Sequence, residues 1–504
     1  VKKKRGVVYL VGAGPGDPEL ITVRGKRLLE TCDTVVYDAL VNDLLVVTLP
    51  DTVKRIFVGK RGGKPSASQD EINRILVSEA RKGSSVVRLK GGDPLVFGRG
   101  SEEMEYLASH GVRYEVVCGI TSAIAAPGFA AIPVTHRTVS RSFAVVTGHL
   151  RAGESVDALD IPVADTLVFL MAMENLPAIV ERLIARGAGF TRRTPAALIR
   201  NGSLPDQQTL VGTLGTIVKL RDRCALTPPA IFIVGETVRF ASQLKWRRRC
   251  PLDGCRVAVL RTTEQSAELY DTLAKRGATV VPCPILRIVP RVSALRRITP
   301  TFLEKFTMVI FTSPNGARLF MERLLGRGGG DARSLCGKRV VALGGGTAAT
   351  LLGYGIRVDA VPEKFVAEKL CEILPGDLSG EKILIPRAAT AREVLPQTLR
   401  ERGAGVTVLP VYDTKKNSAA GQALCDGDYV LFTSSSTVEY FYEDPARSAL
   451  RIIPCCIGDI TAATLRKRFA AEIYVAENAT MPSLVETLER AVRAENRRAL
   501  GRRS

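Results

Sequence analysis

Part of this chain repeats itself, and the repeat limits its architecture more than any other feature. VAVLRTTEQSAELYDTLAKRGATVVPCPI (257–285) aligns with ILIPRAATAREVLPQTLRERGAGVTVLPV (383–411) at a constant offset of 126 residues. Arg261 then matches Arg387, Leu273 matches Leu399, and Gly277-Ala278 matches Gly403-Ala404. Further on, FTSPNG (311–316) echoes FTSSST (432–437), and LGGGTAATL (343–351) echoes IGDITAATL (457–465). A repeat this long is expected to give two related α/β lobes with a cleft, not a solenoid.

The first half carries a different signal. Short apolar strands at Val7–Val11, Thr34–Tyr37 and Val86–Leu89 alternate with helical stretches. Ser68 to Glu71 reads as a capping box ahead of Ile72, Ile75 and Leu76, which share one helix face. Two glycine-dense turns, GAGPGD (12–17) and KGGDP (90–94), each follow a strand directly and point to one ligand held between strand ends. GAGPGD invites a dinucleotide reading, with Asp38 near the place of a ribose-binding acid. The spacing opposes it: the third glycine of that fingerprint falls on Asp17, and Pro15 stiffens the turn.

Composition enters as a set of limits. With 504 residues, 46% of them hydrophobic, the chain can bury several cores, about three domains by length. Sparse aromatics, plentiful glycine and short Val/Ile/Leu runs favour α/β lobes with buried parallel strands. A formal charge of +20 points to anionic partners. The 11 cysteines make no CxxC pair, and with three histidines no zinc constellation appears, so no metal and reduced cytosolic thiols are expected. The basic start is broken by glycine too early for a signal peptide, and no window reaches the roughly 18 apolar residues of a membrane span. These features predict a cytoplasmic protein without a membrane partner.

Residues 241–254, ASQLKWRRRCPLDG, hold the one tryptophan and lack periodicity, so they read as a linker. The basic segment from Arg493 to Ser504 is expected to fray.

The first 240 or so residues resemble uroporphyrinogen-III C-methyltransferase, an S-adenosylmethionine-dependent family of sirohaem and cobalamin synthesis. The tracts that carry the resemblance are VYLVGAGPGDPELIT, VVYDALV, VGKRGG, QDEIN, VVRLKGGDPLVFGRG, CGITSA, IPVTHR, VTGH and PPAIFIVGE. The resemblance implies two α/β domains with the cofactor in the cleft between them, and a homodimer. It places Pro15 in the first cofactor loop and Gly91, Gly92 and Asp93 in the second, with Val96, Thr121, Ser122, Met171 and Gly202 completing the pocket. Asp93 is then expected to meet a ribose hydroxyl or the amino acid ammonium. Asp38 is implied as proton acceptor and Lys60 as donor; a solvated Asp38 and a carboxylate-binding Lys60 are the alternatives. YDAL carries Ala39 where the family has arginine, KRGGKPSASQ departs from the family's rim, and His136 is either a hinge anchor or a substrate contact.

Residues 251 to about 492 resemble uroporphyrinogen-III synthase, on PLDGCRVAVLR, FTSPNG, GKRVVALGGGTA, VLPVYDT, FTSSSTVEYF, CIGDITAATL and AENATMPSLVETL. That family implies two flavodoxin-like lobes joined by a two-stranded ladder, with crossovers near Leu286–Pro290 and Tyr412–Lys415. It also implies closure of hydroxymethylbilane with inversion of the last ring. Tyr412 matches the tyrosine nearest the leaving hydroxyl. Ser313, Ser434 and Thr461 head turns suited to substrate carboxylates, with Arg261 and Arg387 adding charge at the strand ends. For each serine alone, simple helix capping is the plainer reading.

The expected organisation is therefore 1–242 methyltransferase (lobes ~1–137 and ~140–242), 243–252 linker, 253–492 synthase and 493–504 basic tail. Within the synthase, lobe one joins ~253–287 to ~415–492, and lobe two covers ~290–412. The expected function is bifunctional, making uroporphyrinogen III and methylating it twice to precorrin-2, with later dehydrogenation and iron insertion left to other proteins. One alternative is methylation of another cyclic tetrapyrrole beside a synthase half of reduced activity. A basic nucleic-acid-binding protein is more distant, because the runs Lys2–Arg5 and Lys245–Arg249 lack interleaved aromatics, so no nucleic acid is expected.

Overall fold

The computed structural model describes residues 6–50, 52–59, 67–149, 159–186, 189–262, 265–362, 367–391, 393–417 and 424–501. The fold is α/β throughout, built on four five-stranded sheets. By contact, the chain forms two compact units, Val1–Cys283 with Gly421–Ser504, and Pro284–Ala420.

The first sheet contains β1 (Val7–Gly12), β2 (Thr34–Tyr37), β3 (Lys54–Phe57), β4 (Ser85–Lys90) and β5 (Arg113–Val117). Its order is β3-β2-β4-β1-β5 and every pairing is parallel. Val8, Leu10, Val36 and Val86 bury one face, and Val11, Val35, Val87 and Leu89 the other, as a sheet covered on both sides requires. The capping box on the helix Gln69–Arg81 is present in full: Ser68 Oγ accepts from Glu71 N–H at 3.2 Å, and Glu71 Oε2 accepts from Ser68 N–H at 2.7 Å.

The second sheet holds β6 (Phe143–Thr147), β7 (Thr166–Leu170), β8 (Pro195–Arg200), β9 (Gln208–Thr213) and β10 (Ala230–Val234), in the order β6-β7-β10-β8-β9. Here β10 runs antiparallel to both neighbours. The helix Ser122–Phe129 lays Ala123 and Ala126 against Val168, Leu170 and Ile233 of this sheet, which ties it to the end of the first domain. Residues 244–250 carry no helix or strand, and Trp246 Nε1–H donates to Gly128 O at 3.0 Å.

The remaining strands are β11 (Arg256–Val259), β12 (Thr279–Pro282), β13 (Leu286–Pro290), β14 (Met308–Phe311), β15 (Arg339–Ala342), β16 (Lys382–Ala388), β17 (Gly405–Lys416), β18 (Tyr429–Phe432), β19 (Ile453–Cys456) and β20 (Tyr474–Val475). They form sheets of order β12-β11-β18-β19-β20 and β13-β17-β16-β14-β15. The internal repeat is visible in that topology, since β12-β11-β18-β19 and β17-β16-β14-β15 are the same four-strand succession. Leu286–Pro290 pairs antiparallel with Tyr412–Lys416.

Part of the basic segment is helical. The helix Met481–Gly501 continues into it, with Arg493 paired to Glu489 and Arg498 to Glu495. Ion pairs at three- and four-residue spacing favour the helix over a loose end. Among the described residues, no helix is long and apolar enough to cross a membrane.

Candidate functional site

β1 and β4 are neighbours in the middle of the first sheet, so the turns that follow them leave its carboxyl edge side by side. Gly92 N–H donates to Gly14 O at 2.7 Å, Gly14 N–H returns a bond to Gly92 O at 3.3 Å, and Ala13 N–H donates to Lys90 O at 2.7 Å. The turn after β5 joins them. A Cβ on Gly119 would stand 2.2 Å from Gly92 O, and one on Gly12 would stand 2.5 Å from Gly119 Cα. Backbones this close exclude any side chain at these positions. The third turn leads into Thr121, which caps the helix Ser122–Phe129 by accepting from Ala123 N–H at 3.3 Å.

Asp93 holds the arrangement together. Its Oδ1 accepts from Leu95 N–H and its Oδ2 from Gly119 N–H, each at 2.8 Å, and the residue is buried. Each oxygen accepts one main-chain amide, so the carboxylate braces two turns.

The second domain supplies the facing wall. Gly202 has no room for a side chain, because a Cβ would lie 2.2 Å from Ala126 Cβ. Ser203 Oγ accepts from Asp17 N–H at 3.1 Å and so clips this turn to the first glycine loop. Met171 follows β7 with φ +55° and 51% exposure, and Asn201 and Ser203 also have positive φ. Non-glycine residues in this region store strain and gather where a site over-determines the backbone. Val96 packs on the Ala123 and Leu170 cluster, and Pro15, Thr121 and Ser122 are half-buried. Glycines that let the main chain approach a ligand, beside the exposed apolar side chains of Leu95, Ile124 and Met171, fit a small molecule with polar and aromatic parts.

Asp38 stands where β2 ends, with 27% of its side chain exposed. Oδ1 accepts from Leu40 N–H at 3.1 Å, and Oδ2 faces Arg88 Nη2 at 3.3 Å. Arg88 belongs to a charge cluster that sequence reasoning missed. Arg88 Nε, Lys90 Nζ and Gln69 Nε2 all donate to Glu103 Oε1, at 3.2, 2.9 and 3.3 Å. Burial, reinforced by the charge of Arg88, holds the Lys90 ammonium below its ordinary range. The signal was there to find: VVRLKGG places two cations on one face of an otherwise apolar strand, and an acidic pair opens the next helix. Lys60 lies outside the described residues. His136 stacks on Phe240 at 4.6 Å and holds Thr138 Oγ1 at 2.9 Å, the geometry of an anchor.

In the sheet that carries β11, the adjacent strands β11, β18 and β19 lead at their carboxyl ends to Arg261, Ser434 and the turn before Thr461. Arg261 is half-buried, and burial lowers its pKa; its one hydrogen-bond partner among the described residues is Gln265, at 2.8 Å from Nε. Ser434 caps the helix Ser435–Tyr442. Thr461 is buried in the first turn of the helix Asp459–Arg466, as its repeat counterpart Thr347 is in the helix Gly345–Gly353. Asp459 and Ile460 are the exposed side chains of that turn.

In the other unit, β17, β16 and β14 are neighbours and carry Tyr412, Arg387 and the turn to Ser313. Ser313 caps the helix Pro314–Leu325 by accepting from Gly316 N–H at 3.0 Å. The Tyr412 hydroxyl lies 3.0 Å from Ser313 Oγ, and burial, partly offset by that bond, raises its pKa. Arg387 is buried and paired with Glu393, beside a register shift between Arg387 and Ala388.

Comparison with known proteins follows the same division. The family described as Tetrapyrrole (Corrin/Porphyrin) Methylases matches residues 7–218, and the family described as Uroporphyrinogen-III synthase HemD matches residues 267–486. The chain is 35% identical to the porphyrin biosynthesis protein HemD of Ruminiclostridium josui, over 96% of this chain and 98% of that protein. Its first half is 48% identical to the uroporphyrinogen-III C-methyltransferase of Methanocaldococcus jannaschii, over 46% of this chain and 97% of that enzyme. A solved uroporphyrin-III C-methyl transferase from Thermus thermophilus, complexed with S-adenyl homocysteine, is 40% identical over 46% of this chain and 99% of its own, with a TM-score of 0.41.

Proposed function

Because the chain belongs to the family of the porphyrin biosynthesis protein HemD, with a tetrapyrrole methylase and a uroporphyrinogen-III synthase on one polypeptide, we propose that it makes a macrocycle and then methylates it. It is a bifunctional enzyme of tetrapyrrole biosynthesis. The synthase half closes hydroxymethylbilane to uroporphyrinogen III with loss of water and inversion of the last ring. The methylase half transfers two methyl groups to that product, giving precorrin-2.

S-adenosylmethionine is the methyl donor, and it supplies an electrophilic methyl on a sulfonium. The interlocked turns at Pro15, Gly91, Gly92 and Thr121, with Ser122, Met171, Val96 and Gly202, would hold it; Asp93 fixes the turns. Asp38 takes the proton lost as carbon is methylated, and Arg88 Nη2 aims the carboxylate. Lys60 is the partner acid in this reading. Positioning contributes much of the acceleration, since the transfer is an in-line displacement. Ala39 is exposed where the family carries arginine, so substrate carboxylates on that rim need another cation.

For ring closure, Tyr412 donates a hydrogen bond to the departing hydroxide, and Ser313 orients the phenol. In one unit Arg261 and the capped turn at Ser434, and in the other Arg387 and the capped turn at Ser313, are suited to propionate and acetate groups. The two substrates are small anionic tetrapyrroles, in keeping with the +20 charge. A homodimer through the methylase half is part of the same reading.

The observation that supports it most is spatial: VGAGPGD, KGGDP and CGITSA, three separate tracts of the methyltransferase resemblance, are the turns that interlock at one sheet edge. The test is one incubation of the protein with hydroxymethylbilane and methyl-labelled S-adenosylmethionine, followed by chromatography and mass analysis. A doubly methylated type III product is expected. Unmethylated type I macrocycle alone would overturn the reading.

A further inference from the structure

Glu103 sits on the helix Gly100–Ser109 with no exposed surface, behind the central strand of the first sheet. Its Oε1 takes all three donors that reach it, while Oε2 is buried without a hydrogen-bond partner among the described residues. The groups that face it are Arg88 and Lys90 from β4 and Gln69 from the helix Gln69–Arg81, where Gln69 also reaches Asn73 Oδ1 at 3.1 Å. Arg99 and Glu102, paired with each other, lie at the exposed start of its own helix. Two cations and one carboxylate are thus buried together, and the second carboxylate, Asp38, is the one member that reaches solvent.

Such a cluster is a poor way to stabilise a fold, because well-packed apolar residues often do as well or better. A half-satisfied carboxylate in low dielectric is costlier still. Its geometry has a direction, however. Arg88 is gripped from behind by Glu103 at Nε and presents Nη2 to Asp38, so the position of one carboxylate is transmitted to the other through a planar, rigid guanidinium.

We propose that Glu103 is a positioning residue for methyl transfer: through Arg88 it holds the Asp38 carboxylate at the substrate face. The proposal rests on the reading of Asp38 as proton acceptor. It concerns the charge behind the site rather than any group that touches substrate.

The experiment uses the full chain with supplied uroporphyrinogen III and S-adenosylmethionine, comparing wild type, Asp38→Asn, Glu103→Gln and Glu103→Asp. For Glu103→Gln, kcat for methylation should fall at least tenfold, with KM for S-adenosylmethionine within about twofold of wild type. Ring closure measured on the same preparation should not change. A Glu103→Gln protein with wild-type kcat overturns the proposal. If Glu103→Gln does not fold, Glu103→Asp decides: the charge stays but the grip on Arg88 is a methylene short, so a lowered kcat at unchanged S-adenosylmethionine affinity supports positioning, and a wild-type kcat overturns it. Full activity in Asp38→Asn would instead sink the underlying assignment of Asp38, and with it this proposal. Loss of activity in Asp38→Asn alone overturns only the role given to Glu103.

Discussion

The Tyr412 hydroxyl and Ser313 Oγ stand 3.0 Å apart although they are 99 residues apart in the chain. Ser313 Oγ already accepts the Gly316 amide. If Ser313 donates its proton to Tyr412, the phenol is free to donate outward, which is the polarity needed beside a departing hydroxide.

Replacing Tyr412 with phenylalanine should therefore slow formation of the type III macrocycle by roughly 10²-fold, the low end for a lost proton donor. Methylation of supplied uroporphyrinogen III should stay at the wild-type rate. The ratio of type III to spontaneous type I product, read by chromatography, measures it, and an unaltered ratio would demote Tyr412 to packing. Ser313→Ala should lower stability by about 1 kcal/mol through loss of the helix cap and slow closure less than Tyr412→Phe does.

Asp93→Ala removes the acceptor of two main-chain amides, at Leu95 and Gly119. Hydrogen bonds to a charged acceptor contribute about 1.5–3 kcal/mol each. The expected result is a lower melting temperature together with S-adenosylmethionine affinity reduced more than tenfold by calorimetry, and unchanged ring closure. Unchanged affinity would remove the interlocked turns from the cofactor site.

Arg261 is a desolvated cation whose one hydrogen-bond partner among the described residues is Gln265. A charge-assisted hydrogen bond contributes about 1.5–3 kcal/mol, so Arg261→Gln should raise KM for hydroxymethylbilane by roughly one to two orders of magnitude. Stability should not fall, since no described carboxylate is left unpaired. A lowered melting point with unchanged KM would give this arginine to the fold instead.

The thiols separate by burial. Burial pushes Cys32 and Cys283 up to about 11 and Cys456 up to about 12, and raises Cys455 as well. A raised pKa leaves less thiolate at pH 8, so alkylation should mark exposed Cys118, Cys224, Cys336 and Cys425 first and reach the buried set only as the pH rises or the protein unfolds. Cys118 adjoins Gly119 in the third interlocked turn, so S-adenosylmethionine should slow its labelling specifically. Peptide mass mapping over time provides the measurement.

Much of this was legible beforehand for definite reasons. The capping box at Ser68 and Glu71 is a local, four-residue interaction, so the sequence alone announces it. The repeat at 126 residues predicts two lobes because each copy carries the same strand–turn–helix succession, and the matched strand orders follow from it. Other features were hidden. Thr461 heads a turn in the sequence, yet a side chain's direction at a helix start depends on what packs above it, and there it is buried. The arginine-rich stretch carries no such local signal, and its ion pairs with Glu489 and Glu495 exist only once the helix has formed.

The sequence by itself determined the first strands, the capped helix after Ser68, the duplicated lobes and two glycine turns, because periodicity, capping and glycine's freedom operate over a few residues. Tertiary structure decided which distant groups meet. Asp93 became a brace once Gly119 came within reach, Tyr412 gained Ser313, and Glu103 was set behind Arg88 and Asp38. Those contacts cross strands far apart in the chain, and their energetics depend on burial and dielectric, which no local stretch of residues encodes.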